Sequence, residues 1–111
     1  MNTVWWDVKL TTGAKKDFAE IIRWTKQNFG TRQVRIYEAT LEDALDALHA
    51  GPAIIGVKQR DDLGPGIHTL HVARNGRKGR HFIVFRANND RVIDVLRILY
   101  DGMALATHLP S

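Results

Sequence analysis

The sequence predicts an α+β fold, in which an N-terminal strand precedes an antiparallel helical hairpin packed on an antiparallel sheet with a C-terminal three-strand meander. Two observations predict it. Apolar residues recur at three- and four-residue steps between residues 14 and 48, the spacing of helices that bury one face. Three runs rich in β-branched and aromatic residues follow in the C-terminal half, separated by turn formers. At 111 residues and with no linker-like segment, we expect a single domain covering residues 1–111.

The first strand is predicted at residues 5–10, where apolar and polar side chains alternate. Successive side chains of a strand point to opposite faces of the sheet. One face therefore carries Trp6, Val8 and Leu10, and the other carries Trp5, Asp7 and Lys9.

Two helices are predicted next. Thr11 or Thr12 supplies the side-chain oxygen that caps the first helix. Gly30 suits the left-handed position that ends a helix, and Thr31 can cap the second helix at once. The Gly-Pro pair at residues 51–52 ends that second helix, because proline lacks the N–H that a helix needs. So short a link between the helices predicts that they lie antiparallel.

Residues 52–66 are irregular in pattern and predict a loop. Strands are predicted at residues 67–73, His81–Ala87 and Val92–Tyr100, and turn formers at residues 88–91 make the last two a hairpin. We expect Phe82 in the core. Alternation along the last strand places Arg97 on one face with Ile93, Val95 and Leu99, and Tyr100 on the other with Asp94, Leu96 and Ile98.

Positive charge is concentrated in one stretch of the chain. The formal net charge is +4, and residues 72–87 contain no acidic residue. The cations of this stretch are Arg74, Arg77, Lys78, Arg80 and Arg86. Such a strip attracts nucleic acid or an acidic protein segment, or it simply keeps a hairpin solvated. The sequence does not decide among these three interpretations.

Several classes of site are disfavoured by the residue inventory. The chain has no cysteine, and Ser111 is its only serine, so the usual activated nucleophiles of hydrolases are missing. His68 and His71 lie three apart on a predicted strand and point to opposite faces, so we expect them to share no metal. No cofactor motif is present, and no apolar run reaches the length of a membrane span. We expect a cytoplasmic protein without metal, cofactor or membrane contact.

The C-terminal third resembles a known family. Residues 79–110 read GRHFIVFRANNDRVIDVLRILYDGMALATHLP, in which a strand containing LRIL leads into an aromatic residue, a short turn with methionine and a final HL. This arrangement, with Val8-Lys9-Leu10-Thr11 and the helices that follow, resembles the RelE/ParE superfamily of bacterial toxins. The tail resembles the ParE branch.

The resemblance implies the toxin of a type II toxin–antitoxin system. Members of the ParE branch act without catalysis on DNA gyrase, through protein–protein contact, and are neutralised by a ParD-type antitoxin. That partner is a ribbon–helix–helix protein with a disordered C-terminal segment. We therefore expect a hetero-oligomer with the antitoxin, which contacts operator DNA only through the antitoxin.

Two surfaces follow as our own inference, and not as a family motif. For the antitoxin we expect apolar anchors on the first helix and basic residues on the sheet: Phe18, Ile22, Trp24, Phe29, Arg74, Arg80 and Arg86. For the target we expect residues of the C-terminal segment: Arg97, Tyr100, Met103 and His108.

The alternative is a RelE-type ribosome-dependent mRNA endoribonuclease. Its candidate catalytic residues are Arg97, Tyr100, His81 and Arg86. Strand alternation puts His81 and Arg86 on opposite faces, and does the same for Arg97 and Tyr100, so a catalytic cluster would have to form across strands. Arg97 also has a structural interpretation, as a partner of Asp94, Asp101 or an incoming acidic segment. A third possibility is a family member that serves only to bind its antitoxin and operator DNA.

Overall fold

The computed structural model describes residues 5–103, and these residues form an α+β fold of one long helical element and five strands. The elements are β1 (Asp7–Leu10), α1 (Thr12–Ala47), a short 3-10 turn (Leu48–Ala50), β2 (Lys58–Gln59), β3 (Ile67–His71), β4 (His81–Ala87) and β5 (Val92–Tyr100). The last two strands have the predicted bounds. Strands β1 and β3 are shorter than predicted, and β2 lies in a stretch predicted as loop.

The sheet is mixed, with the order β1-β5-β4-β3-β2. β1 runs parallel to β5, with Val8 opposite Ile93 and Leu10 opposite Val95. The other three pairings are antiparallel. The prediction of an antiparallel sheet is therefore wrong at this edge. Alternation of side chains identifies strands but not their partners, and a parallel partner requires the long crossover that α1 provides.

The predicted pair of separate helices is also corrected. The structure has one helical element of 36 residues, and Gly30 is its one non-helical residue, with φ 88° and ψ 179°. Glycine accepts this conformation because it has no Cβ. Thr31 therefore continues α1 instead of capping a new helix. We call residues 12–29 the first arm of α1 and residues 31–47 the second arm.

The bend at Gly30 is sharp. The start of α1 is capped by Thr11, whose Oγ1 accepts from the Ala14 N–H at 3.1 Å. Just past its other end, the His49 carbonyl accepts from the Trp6 N–H at 2.9 Å. Trp6 and Thr11 are separated by at most about 17 Å of extended chain, whereas a straight helix of this length would span about 54 Å. Both arms can therefore lie over the same sheet.

The main core lies between α1 and one face of the sheet. Its buried side chains are Ala14, Leu41, Ala44, Leu48, Leu70, Val72, Ile83, Phe85, Ile93, Val95 and Ile98, with Val8 and Leu10 packed against them. A second, smaller cluster lies on the far face and consists of Ile67, Val84 and Leu99, with Leu63, Phe82 and Leu96 beside them. Val8 and Leu10 thus lie on the same face of β1, as predicted. Phe82, expected in the core, is only half-buried and lies on the far face.

An irregularity in the β4–β5 pairing explains why the predicted faces of β5 are partly wrong. Val84 pairs with Arg97 but the next residue, Phe85, pairs with Val95, so Leu96 is an extra residue in β5. A bulge of this kind shifts the alternation by one position. As a result Ile98 joins Ile93 and Val95 in the main core, while Leu99 lies on the far face with Leu96.

Candidate functional site

Ionisable side chains gather at the end of the sheet where β3 and β5 finish and β4 begins. Asp101 accepts from the Arg80 Nε at 3.0 and 3.2 Å and lies 2.9 Å from the His71 Nε2. The His71 Nδ1 accepts from the Ala73 N–H, so its Nε2 carries the proton that is donated to Asp101. Hydrogen bonds from His71 and then from Arg80 hold the pKa of Asp101 below its ordinary value. Arg80 and His71 are therefore tied to one carboxylate.

A second set of contacts joins this end of the sheet to the second arm of α1. The Tyr37 hydroxyl accepts from the Arg80 N–H at 3.0 Å and lies 2.6 Å from the His81 Nδ1. The hydroxyl hydrogen thus goes to His81, whose Nδ1 is an acceptor on a neutral ring. Burial lowers the pKa of His81 and raises that of Tyr37, in keeping with this arrangement.

Tyr100 completes the group. Its ring meets the His81 ring edge-on at 5.9 Å, and the Arg80 guanidinium lies 5.2 Å from its centroid. We call these six residues the sheet-end cluster: Tyr37, His71, Arg80, His81, Tyr100 and Asp101. They offer proton donors and acceptors, and a cation for a phosphate.

The two histidines of the sheet-end cluster do not point to one substrate atom. His71 contacts Phe82, which belongs to the far-face cluster, whereas His81 contacts Tyr37 of α1. His68 stacks on the core residue Phe85, so His68 and His71 lie on opposite faces, as predicted. Among residues 5–103 no group of three or more His, Asp or Glu side chains is placed to hold a metal ion.

Arg97 is tied to α1. Its Nε and Nη2 donate to the two carboxylate oxygens of Asp17 at 2.7 and 3.0 Å, and the Ile98 N–H donates to the same carboxylate at 2.9 Å. The hydrogen bond with Asp17 raises the pKa of Arg97. The predicted partners, Asp94 and Asp101, are therefore wrong. The structural interpretation of Arg97 holds with Asp17 in their place, because the ion pair joins the first arm to β5.

The remaining residue of the alternative catalytic set lies elsewhere. Arg86 is exposed near the other end of β4, where its Nε donates to the Pro65 carbonyl at 3.3 Å. Five residues of strand separate it from His81, about 17 Å. The structure thus brings His81 and Tyr100 together but leaves Arg86 and Arg97 at other places.

The predicted target-binding residues are partly exposed. Tyr100 and Met103 are 43% and 37% exposed and lie close in the chain, where the Met103 N–H donates to the Tyr100 carbonyl. The Arg97 side chain is 31% exposed beside Asp17. His108 lies outside the described residues.

The predicted antitoxin-binding residues fall into separate groups. Trp24 and Phe29 are 57% and 62% exposed, and their rings meet edge-on at 5.7 Å near the bend of α1. Phe18 and Ile22, on the same arm, are half-buried against the main core. Of the basic residues, Arg74 and Arg80 belong to the β3–β4 loop, while Arg86 lies near the opposite end of the sheet.

Sequence reasoning missed four residues of these networks: Asp17, Tyr37, His71 as the partner of Asp101, and Asp101 as the partner of Arg80. The pairs are separated by 21 to 80 residues along the chain. No local spacing signals contacts over such distances.

Comparison with known proteins places the chain in a family. The sequence model of the ParE toxin of the type II toxin–antitoxin system parDE matches residues 8–105. The chain belongs to the ParE toxin family. It is 32% identical over 100 residues to the toxin ParE of Escherichia coli, a match that covers 90% of this chain and 89% of that protein. Toxin ParE1 of Mycobacterium tuberculosis is 28% identical over 100 residues, covering 90% of this chain and 94% of the relative.

Solved structures share the fold of this ParE-family toxin. A chain from the chromosomal ParDE toxin–antitoxin system of P. aeruginosa superposes with a TM-score of 0.68 at 20% identity, over 86% of this chain and 95% of the other. A chain of the RelBE2 toxin–antitoxin complex of Mycobacterium tuberculosis superposes with a TM-score of 0.58 at 22% identity, over 89% of this chain and 94% of the other. The RelE/ParE resemblance is thereby confirmed. In residues 5–103 no helix is long and apolar enough to span a membrane.

Proposed function

We propose that this ParE-family toxin inhibits DNA gyrase through protein–protein contact in the cytoplasm, and that a ParD-type antitoxin neutralises it. The observation that carries the proposal is the family match over residues 8–105. The Arg97–Asp17 ion pair supports it, because a cation that RNA cleavage would use is engaged in holding α1 to β5. The antitoxin is a ribbon–helix–helix protein whose disordered C-terminal segment folds on the toxin, and the hetero-oligomer reads operator DNA through the antitoxin alone.

The gyrase contact in this proposal lies at the end of β5. Tyr100 and Met103 present exposed apolar surface there, and Arg80 lies beside Tyr100. Aromatic side chains and arginine are the residues that most often dominate the energy of an interface. Arg97 contributes by fixing this end of β5, and His108 follows from the sequence as a further contact.

The test is a gyrase assay with the purified chain. We expect inhibited supercoiling and trapped, protein-linked linear DNA. Replacing both residues in Tyr100→Ala/Met103→Ala should raise the inhibitory concentration at least tenfold, while Ile55→Ala, which removes an even more exposed apolar side chain, should leave it unchanged. Toxicity in cells with gyrase unaffected by the folded protein contradicts the proposal. Harmless expression of the folded protein points to the antitoxin-binding role alone.

For the antitoxin we propose a surface whose anchors are Trp24 and Phe29, with Phe18 and Ile22 offering partly exposed edges beside them. Arg74, Arg80 and Arg86 attract acidic residues of the partner from a distance. Exposed aromatic pairs of this kind are favourable anchors, because they bury a large area with few rotatable bonds.

Calorimetry with the cognate antitoxin tests this surface. We expect Trp24→Ala/Phe29→Ala to weaken binding by about 30-fold or more, the effect of losing about 2 kcal/mol at a dominant contact. Ile55→Ala again serves as the control. Unchanged affinity in the double variant rules out the bend of α1 as the antitoxin surface.

The sheet-end cluster favours a second candidate, a ribosome-dependent mRNA endoribonuclease. His81, Tyr100 and Arg80 lie together, and such groups serve proton transfer and phosphate binding. Primer extension on messages after induction decides between the candidates. Codon-phased cuts that disappear in Arg80→Ala and His81→Asn establish the nuclease, and intact messages exclude it. Arg97→Ala is a poor probe of catalysis, since it deprives Asp17 of its partner.

A further inference from the structure

The loop between β3 and β4 carries most of the basic strip. Arg74, Arg77, Lys78 and Arg80 occur within seven residues, and no acidic residue lies between residues 72 and 87. We call residues 74–80 the basic loop. The family match says nothing of what these four cations bind.

The base of the basic loop is fixed and its tip is open. The Val72 N–H donates to the His81 carbonyl at 3.1 Å, and the Arg77 N–H donates to the Arg74 carbonyl at 3.0 Å. Asn75 and Gly76 have positive φ values of 54° and 77°, which turn the chain tightly at the tip. A Cβ built on Gly76 meets no atom within 4 Å. A phosphate group can therefore approach the tip without steric hindrance.

The charges of the basic loop are only partly compensated within the fold. Arg80 is engaged by Asp101, and the Arg77 Nε lies 3.6 Å from Asp43, which is longer than a hydrogen bond. Lys78 is exposed. The Nε of Arg74 is buried and has no acceptor among the described residues.

The exposed cations of the basic loop favour an anionic ligand. The Nε of Arg74 is closed off from solvent, so a ligand at the surface meets the other cations of the loop and not this atom. A phosphate at the open tip would supply a negative charge for the exposed Lys78 and for Arg77, whose only acidic neighbour among the described residues lies at 3.6 Å. Phosphodiester oxygens are the usual partners of arginine and lysine on nucleic-acid-binding surfaces.

We propose that the basic loop binds the phosphate backbone of duplex DNA without regard to sequence. A duplex fits better than a single strand, because single-strand binding relies on free aromatic rings that stack on bases. Two tyrosines lie beside the loop, and neither ring is free: Tyr37 is half-buried with its hydroxyl bonded to the Arg80 N–H, and the Arg80 guanidinium lies against the ring of Tyr100. This contact goes beyond the proposed action on gyrase and is separate from reading of operator sequence by the antitoxin.

Fluorescence anisotropy of a labelled 20-base-pair duplex of non-operator sequence tests the proposal, with the full chain alone and salt varied from 50 to 300 mM. With two or three phosphate contacts, a plot of log affinity against log salt concentration should have a slope of about −2 to −3. The double variant Arg77→Ala/Lys78→Ala changes exposed side chains at the open tip. It should bind about 10- to 60-fold more weakly at 100 mM salt, with a slope smaller by about 2.

The matched control is Lys15→Ala/Lys16→Ala, which removes the same charge from exposed positions on the first arm. We expect its affinity to change by less than about threefold. Equal losses in the two double variants would show attraction by net charge alone and overturn the proposal. Tighter binding of a single strand of the same length, or no binding by the wild-type chain at 50 mM salt, would overturn it as well. None of these measurements contains gyrase, so their failure is distinct from failure of the proposed function.

Discussion

The ion pair between Arg97 and Asp17 should be among the most sensitive contacts of the fold to mutation. Asp17 is 9% exposed, and its carboxylate receives hydrogen bonds from Arg97 and from the Ile98 N–H. The substitution Arg97→Ala removes two of these three hydrogen bonds and leaves a buried carboxylate without its counter-charge. The first arm of α1 then loses its polar attachment to β5.

The magnitude follows from burial. Breaking one side of a fully buried pair costs about 3–5 kcal/mol. The Arg97 side chain is 31% exposed, so water screens part of the interaction. We therefore expect Arg97→Ala to lower the free energy of unfolding by about 2–4 kcal/mol, which corresponds to a fall in Tm of about 10–20 °C in a domain of this size.

Urea unfolding of the two single variants and their double variant measures the pair directly. Asp17→Asn keeps an acceptor for the Ile98 N–H and removes the buried charge, so the double variant should be more stable than the sum of the single losses predicts, by about 1.5 kcal/mol or more. Arg86→Ala, at an exposed arginine, is the control and should cost less than about 1 kcal/mol. Additive losses, or a loss under about 1 kcal/mol in Arg97→Ala, would refute the reasoning.

Three further predictions concern stability. Burial holds the pKa of His81 below its ordinary 6.5, so its neutral form stabilises the fold above that value and this contribution is lost as the pH falls below it. His81→Asn keeps an acceptor for the Tyr37 hydroxyl, so its free energy of unfolding in urea should fall less between pH 7.5 and pH 5.5 than that of the wild type. Equal falls in the two proteins would contradict the role of His81. Phe85→Ala empties a fully buried site and should cost about 3–5 kcal/mol, clearly more than Phe82→Ala on the far face; thermal unfolding that ranks them in reverse would contradict the assignment of the cores. A Cβ added in Gly30→Ala meets no atom within 4 Å, so backbone strain alone should lower the free energy of unfolding by about 1–3 kcal/mol in the same assay. An unchanged Tm would show that the bend does not need glycine.

Local pattern predicted much of the secondary structure correctly. The bounds of β4 and β5, the cap at one of the two candidate threonines (Thr11) and the interruption of helical geometry at Gly30 all depend on residues that are neighbours in the chain. A cap needs one side-chain oxygen within a turn of the backbone N–H that donates to it, and a helix is interrupted where one residue has positive φ. Signals of this range are present in the sequence itself.

Hydrophobic periodicity did not predict the register of the β4–β5 pair. Alternation predicted Leu99 on the face of Ile93 and Val95, but the extra residue at Leu96 reverses the faces for the rest of the strand. The extra residue is a property of how β4 pairs with β5, and no pattern within one strand contains it.

The sequence by itself determined the α+β class, the family resemblance and the positions of the basic strip and the exposed aromatic residues. Tertiary structure alone decided that β1 runs parallel to β5, that Arg97 is paired with Asp17, and that Tyr37, His81 and Asp101 meet at one end of the sheet. These contacts join residues far apart in the chain, and their geometry exists only after both arms of α1 have packed on the sheet. Hydrophobic periodicity shows which side of an element is buried, but the partner of each buried polar group is set by where the two layers meet.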